Sequence, residues 1–263
     1  MERSLAFYQE LLGLRLLGRS PASARLSALD GAPLLILEAC PGARMVPRRG
    51  SLGLYHVALL LPSRAALGQF LRHIGASGIH IGMSDHLFSE ALYLTDPDGL
   101  GLEVYADRAR EDWPRENGEL VGASLPLDVA AVLEAAAPDP FAGIPAGSVI
   151  GHIHFYVDDL DRASSFYETA MGFEPMTTLP SARFVSAGGY HHHVAFNTWA
   201  VGAQLPKDDD ARLLEWQLAL PDSSSLAEAA QRLALAGFAV ETLADGSFRA
   251  VDPWRSAVRV STR

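Results

Sequence analysis

VIGHIHFYVDDLDRASSFYETAMGF, residues 149–173, joins a β-rich run to an amphipathic helix, and both halves recur along the chain. The strand half has a counterpart in GLYHVALLLP at 53–62, which places His56 and His152 at the same point of one repeated unit. The helical half, DRASSFYETAMGF, matches ERSLAFYQELLGL at 2–14 in register. Phe7 and Tyr8 fall on Phe166 and Tyr167, and Gly13 falls on Gly172. Weaker copies of the helix are SRAALGQFLRHIGASGI at 63–79 and SSSLAEAAQRLALAGFAV at 223–240, each running to a glycine that can take positive φ and close it.

Around these helices lie short strand-like runs, LYHVALLL, ALYLTD, LGLEVYA, GHIHFYV, ARFVSA, HHVAF, EWQLAL and SAVRV, bounded by Gly, Pro, Asp or Asn. The repeated unit is therefore βαβββ: a strand, a helix, then about three strands. Four such modules fit an α+β chain, near 1–40, 52–107, 149–198 and 212–262. The domains expected are 1–110 for modules one and two, a connecting segment at 111–147 rich in Pro, Gly and charge, and 148–263 for modules three and four. One short helix is predicted inside the connection, at 128–136. Module one lacks its first strand, because Met1 directly precedes Glu2-Arg3-Ser4, which corresponds to Asp161-Arg162-Ala163. A strand of about ten residues is missing there through a misassigned start, a shortened chain or natural absence. In the last case a sheet edge is left open to aggregation.

The chain of 263 residues is long enough for two domains with cores of their own. A net charge of −10 and the lack of any Lys/Arg cluster argue against nucleic acid as a partner. Cys40 is the only cysteine, so no internal disulfide forms and a reducing cytoplasm suits the chain. No apolar run reaches the roughly 18 residues of a membrane span, and MERSLAFYQE has no secretory h-region. The expected location is cytoplasmic, with no membrane partner.

Two histidines and a carboxylate on separate strands can hold a divalent ion on one side and leave its other positions open. His56 and His152 supply the imidazoles. Glu103, in the apolar strand LGLEVY four residues after Gly99 of DPDG, supplies the carboxylate; the alternative is a core pairing with arginine. Where the other modules have His, the fourth has Glu215, and where the second has Glu103 it has Arg259, a cation that would repel a metal. The run HHH in GGYHHHVAFNTW offers a proton carrier near neutral pH. On a strand, however, His192 faces away from His191 and His193, so the three cannot share one ion. Tyr93 could point its hydroxyl into the same cavity or pack with it at the surface. His86, His154 and His80 are weaker candidates.

With these residues in hand, the chain resembles the vicinal oxygen chelate (glyoxalase/bleomycin resistance/dioxygenase) superfamily, and within it the bacterial extradiol catechol 2,3-dioxygenases. The stretches that carry the resemblance are ERSLAFYQELLGL, LLILE, GLYHVALLLP, SEALYLTDPDGLGLEVYADR, GHIHFYVDDL and FVSAGGYHHHVAFNTWA. It implies modules paired into two cupped half-barrel sheets with flanking helices. It also implies Fe(II), or alternatively Mn(II), held by His56, Glu103 and His152, with no organic cofactor. Alignment with the segment carrying the family's acid/base histidine selects His192, and Tyr93 matches a tyrosine that hydrogen-bonds substrate. Better-known extradiol enzymes draw one His from module three and the remaining His and Glu from module four. Glu215 and Arg259 exclude that here, so modules two and three should form the working cup, as in monomeric glyoxalases.

The function implied is ring cleavage of catechol or a substituted catechol by O2, with a small aromatic diol and O2 as partners and a homo-oligomer as one assembly. The rivals are a glyoxalase-like isomerase or lyase using Ni or Zn, which would want a fourth ligand, and a metal-free small-molecule-binding resistance protein on the same fold.

Overall fold

A computed structural model describes all 263 residues, which divide into two compact units: Met1–Met45 with His56–His152, and Val46–Tyr55 with Ile153–Arg263.

The first unit opens with helix α1 (Glu2–Ala6), which continues as a wider π-turn over Phe7–Leu11. Strands β1 (Arg15–Arg19), β2 (Ser23–Ser27) and β3 (Pro33–Glu38) follow as an antiparallel three-stranded sheet, so module one consists of a helix and three strands. Module two is β4 (Gly53–Leu60), α2 (Arg64–Ala76), β5 (Gly82–Asp85), β6 (Ser89–Thr95) and β7 (Gly101–Asp107). Its strands stand in the order β4-β7-β6-β5, with β4 parallel to β7 and the other pairs antiparallel. Ser63 caps α2 by accepting from the Ala66 amide at 3.2 Å.

Alternation along β4 and β7 sorts side chains between two environments. Val57, Leu59, Leu61, Leu102 and Val104 join the large core with Leu67, Phe70 and Ile74 of α2. On the other face Ala58, Ala91 and Tyr105 cluster with Leu60 and Tyr93. His56 and Glu103 fall on this second face because they share the parity of Ala58 and Tyr105.

The segment 111–147 packs within the first unit. It contains a small hairpin, β8 (Arg115–Glu116) with β9 (Glu119–Leu120), and the predicted short helix, α3 (Val129–Glu134). Helix α3 lies so close to α2 that a Cβ on Gly68 would sit 2.3 Å from the Val132 carbonyl. Asp85 and Leu125 exchange both backbone hydrogen bonds at 2.9 Å, which adds a rung beyond β5. Strand β10 (Val149–Tyr156) begins in this unit. There Gly151 has no room for a side chain: a Cβ would meet the Tyr105 hydroxyl at 1.9 Å and Leu60 Cβ at 3.0 Å.

The second unit repeats the plan. Module three adds α4 (Leu160–Ser164) with a π-turn over Ser165–Ala170, then β11 (Glu174–Leu179), β12 (Ala182–Ser186) and β13 (Val194–Asn197), ordered β11-β12-β13-β10. Module four is β14 (Glu215–Leu220), α5 (Ser223–Leu235), β15 (Glu241–Thr242), β16 (Phe248–Val251) and β17 (Ala257–Thr262), ordered β14-β17-β16-β15. The fold is thus α+β, built on curled sheets with few helices. No helix is long and apolar enough to cross a membrane.

The expected helices within 2–14 and 161–173 run to Leu11 and Ala170 and close at Gly13 and Gly172, both at positive φ, and both widen at the same place. Leu12 N donates to Phe7 O at 2.9 Å and Met171 N to Phe166 O at 2.8 Å, five residues back in each case. The repeat also explains the conserved geometry of the tyrosines. Tyr8 donates to Asp96 at 3.0 Å and Tyr167 to Asp252 at 2.7 Å, so each helix is tied to the Asp-Pro turn of the following module. The second oxygen of each aspartate accepts two backbone amides, from Asp98 and Leu100 and from Trp254 and Ser256. Gly99, at φ +90, is matched by Arg255, held at φ +72 in the same turn position. Arg255 is tied there by hydrogen bonds to Pro206 O and the Asp208 carboxylate.

Burial pushes the Asp252 carboxyl up from 3.8 to about 6, against the hydrogen bonds it accepts. Its proton is held more tightly in the folded state, so this stabilising contribution is complete below pH 3.8 and is lost as pH rises through about 6. Two pKa units correspond to about 3 kcal/mol. Between pH 4 and pH 7 the stability of Asp252→Asn is expected to gain on that of the parent by up to about 3 kcal/mol, measured by urea unfolding. A gap that does not change with pH would show that Asp252 is ionised throughout.

Candidate metal centre

β4 delivers His56, β7 delivers Glu103 and the first residues of β10 deliver His152, all within the first unit. The parallel β4–β7 register sets His56 opposite Gly101 and Ala58 opposite Glu103, so the imidazole and the carboxylate converge over small residues. The His56 and His152 Nε2 atoms approach the same Glu103 oxygen, at 3.0 and 3.2 Å. One ligand atom from each residue lies within 4.8 Å of the others, and all three side chains are buried.

Two ligands held at right angles, each about 2.1 Å from one ion, stand about 3.0 Å apart. The observed imidazole–carboxylate separations match that spacing, and two neutral imidazoles with one carboxylate suit a divalent cation. Burial by itself would raise the Glu103 pKa. The neighbouring His152 and His56 outweigh it and hold the carboxyl well below its usual range, so Glu103 is an anion where a cation would sit.

Tyr93 stands directly across from Glu103 in the β6–β7 register, and its ring centroid is 5.6 Å from that of His56. Its hydroxyl lies 2.7 Å from His86 Nε2, while His86 Nδ1 lies 2.6 Å from the Ala123 carbonyl. A carbonyl only accepts, so Nδ1 carries the proton, and a neutral His86 receives the Tyr93 hydroxyl at Nε2. His86 therefore ranks above its sequence-based standing. The carbonyl that fixes its tautomer comes from the connecting segment, which no local pattern ties to β6. His86 is held in the turn between β5 and β6, where Leu87 adopts φ +72. Arg108 donates to both Asp85 oxygens at 2.7 Å and fastens that turn.

The histidine run lies in the second unit and departs from its expected form. Strand β13 begins only at Val194, after Gly188 and Gly189 at φ +66 and +67, so residues 191–193 are not extended and strand alternation does not apply to them. Instead of facing apart, His191 and His192 are both buried with their Nδ1 atoms 2.8 Å apart, a bond in which one proton is shared. The Phe184 ring meets His192 edge-on at 5.1 Å. His193 Nδ1 accepts the Ala187 amide at 3.2 Å, which leaves its proton on Nε2. His154 is bonded to Asn197 at 2.8 Å inside the second unit. In module four, Glu215 pairs with Arg249 at 3.1 Å and Arg259 with Asp245, so charges occupy the positions where the second module has its His and Glu.

The Glyoxalase/Bleomycin resistance protein/Dioxygenase superfamily model matches residues 1–104 and 149–246. The catechol-2,3-dioxygenase of Bacillus subtilis (strain 168) is 42% identical over 257 residues, spanning 96% of this chain and 90% of that protein. Among solved structures, a Bacillus subtilis protein described as a proposed dioxygenase superposes with a TM-score of 0.64 at 18% identity, covering 99% of this chain and 80% of its own. Glyoxalase I from Zea mays superposes with a TM-score of 0.54 at 15% identity, covering 98% and 87%. At these identities the two structures support the fold alone.

Proposed function

We propose, from the premise that this chain belongs to the Glyoxalase/Bleomycin resistance protein/Dioxygenase superfamily, that it is a dioxygenase cleaving catechol or a substituted catechol beside the diol. The observation that carries this reading is the buried His56–Glu103–His152 set, with the Tyr93–His86 pair on the same face. A ferrous ion bound there would bring diol and O2 together and relay electrons from the diol, which is oxidised, to the oxygen, which is reduced.

The protein's own contributions follow from the geometry. Glu103, kept anionic, and the two imidazoles are the residues that would hold the ion. Tyr93 can take a proton from a substrate hydroxyl as it passes its own to His86 Nε2, with the Ala123 carbonyl holding His86 in the receiving tautomer. The apolar neighbours Ala58, Ala91 and Leu60 limit water on this face. The family resemblance makes His192 the acid/base candidate for the later proton transfer, and within its own unit its tautomer is coupled to that of His191.

The test is aerobic incubation of anaerobically iron-loaded protein with catechol, following the coloured ring-opened product. The methylglyoxal–glutathione hemithioacetal serves as the competing substrate. Ring-opened product with no hemithioacetal isomerisation supports the reading, and the reverse overturns it. Tyr93→Phe should keep its metal and lose about 10²-fold in turnover, the low end of an acid/base contribution. His86→Gln should lower turnover and move the pH profile, while metal content stays constant. A Tyr93→Phe enzyme as fast as the parent would remove this pair from the mechanism.

A further inference from the structure

The second unit carries a basic and aromatic cluster that the reading above does not use. Pro47-Arg48-Arg49-Gly50 forms a tight turn, closed by Gly50 N donating to Pro47 O at 2.8 Å, with Arg49 at φ +63. That is the position where such turns usually place glycine or asparagine, so the backbone is strained to present two adjacent arginines. Arg48 donates to the Tyr55 hydroxyl at 3.0 Å, and its guanidinium lies 5.7 Å from that ring's centroid. Tyr55 stacks on Tyr156 at 4.6 Å, and Trp199 meets Tyr55 edge-on at 6.1 Å. Neither Arg48 nor Arg49 is paired with a carboxylate, and both are exposed.

Tyr156 is 97% buried by its relative exposure of 3%, yet its hydroxyl makes no hydrogen bond of ordinary geometry. A buried polar atom left in this way is costly unless something else satisfies it. The groups near it are the two cations, whose effect opposes the rise in its pKa caused by burial and by Tyr55. Two unpaired guanidiniums, an unsatisfied phenol donor and stacked aromatic faces share one complement: a planar anion with an apolar ring.

We propose that Arg48, Arg49, Tyr55, Tyr156 and Trp199 form a binding site for an aromatic carboxylate. The carboxylate is held by the arginine pair and the Tyr156 hydroxyl, and the ring lies against Tyr55 and Trp199. The proposal does not depend on the dioxygenase reading, because its probe, benzoate, has no vicinal diol.

The test is calorimetric titration of the full chain with benzoate, benzamide and acetate. Benzoate should bind at least about tenfold more tightly than benzamide, which keeps the ring and loses the charge, and more tightly than acetate, which lacks the ring. The double variant Arg48→Ala/Arg49→Ala, which alters only exposed side chains, should weaken benzoate by about tenfold or more. Tyr156→Phe should weaken benzoate while leaving the unliganded protein at least as stable, because it deletes the unsatisfied hydroxyl. Absence of benzoate binding, equal binding of benzoate and benzamide, or unaltered binding in the double variant overturns the site. Equal binding of acetate overturns its aromatic half.

Discussion

His56→Ala, Glu103→Ala and His152→Ala are each expected to strip the divalent metal from the protein, whereas Glu215→Ala keeps it. Losing an outer-shell partner costs about 10- to 100-fold in affinity, and removing a direct ligand should exceed that. Turnover should fall with occupancy. Metal analysis after anaerobic loading with ferrous iron and desalting is the direct measurement, with circular dichroism confirming that each variant folds. Glu103→Gln keeps the volume and removes the charge, so it separates loss of the anion from collapse of a buried cluster. Glu215 is the control because it is already committed to Arg249 at 3.1 Å. If Glu215→Ala lost its metal and His56→Ala kept it, the working modules would have been misassigned.

His192→Ala should retain iron and bind catechol, yet turn over about 10²- to 10⁴-fold more slowly, the usual contribution of a positioned acid/base group. The shared proton between His191 and His192 adds a second expectation. Replacing His191 by Ala removes the partner that sets the His192 tautomer, so the pH profile of turnover should change even though His192 remains. His193, bonded through Nδ1 to the Ala187 amide, should affect neither profile nor rate beyond what small shifts of its loop transmit. Single-turnover kinetics across pH would separate the three. Unchanged turnover in His192→Ala would move the role to His191, His193 or His154.

Much of this protein was legible because it repeats. One repeat could be checked against another, and the match of Phe7-Tyr8 to Phe166-Tyr167 survived into matching tyrosine–aspartate bonds. Strand alternation put His56 and Glu103 on the face away from α2, and the parallel β4–β7 register then brought them together. The histidine run shows where that logic stops. Alternation holds only for extended backbone, and two glycines at positive φ delay the strand until Val194.

From the sequence alone came the βαβββ plan, the His, Glu and His that the structure brings together, and the Glu and Arg that stand at the equivalent positions of module four. These depend on period, residue type and repetition, all of which are local or self-comparing. The tertiary structure alone decided the rest. The Ala123 carbonyl reaches His86 from 37 residues away. Arg108 clamps Asp85 across 23. The hydroxyl of Tyr156 ends among the arginines of a turn more than a hundred positions earlier in the chain. Hydrogen bonding and desolvation depend on atoms a few ångströms apart, and no sequence period records which distant residues the chain will bring within that distance.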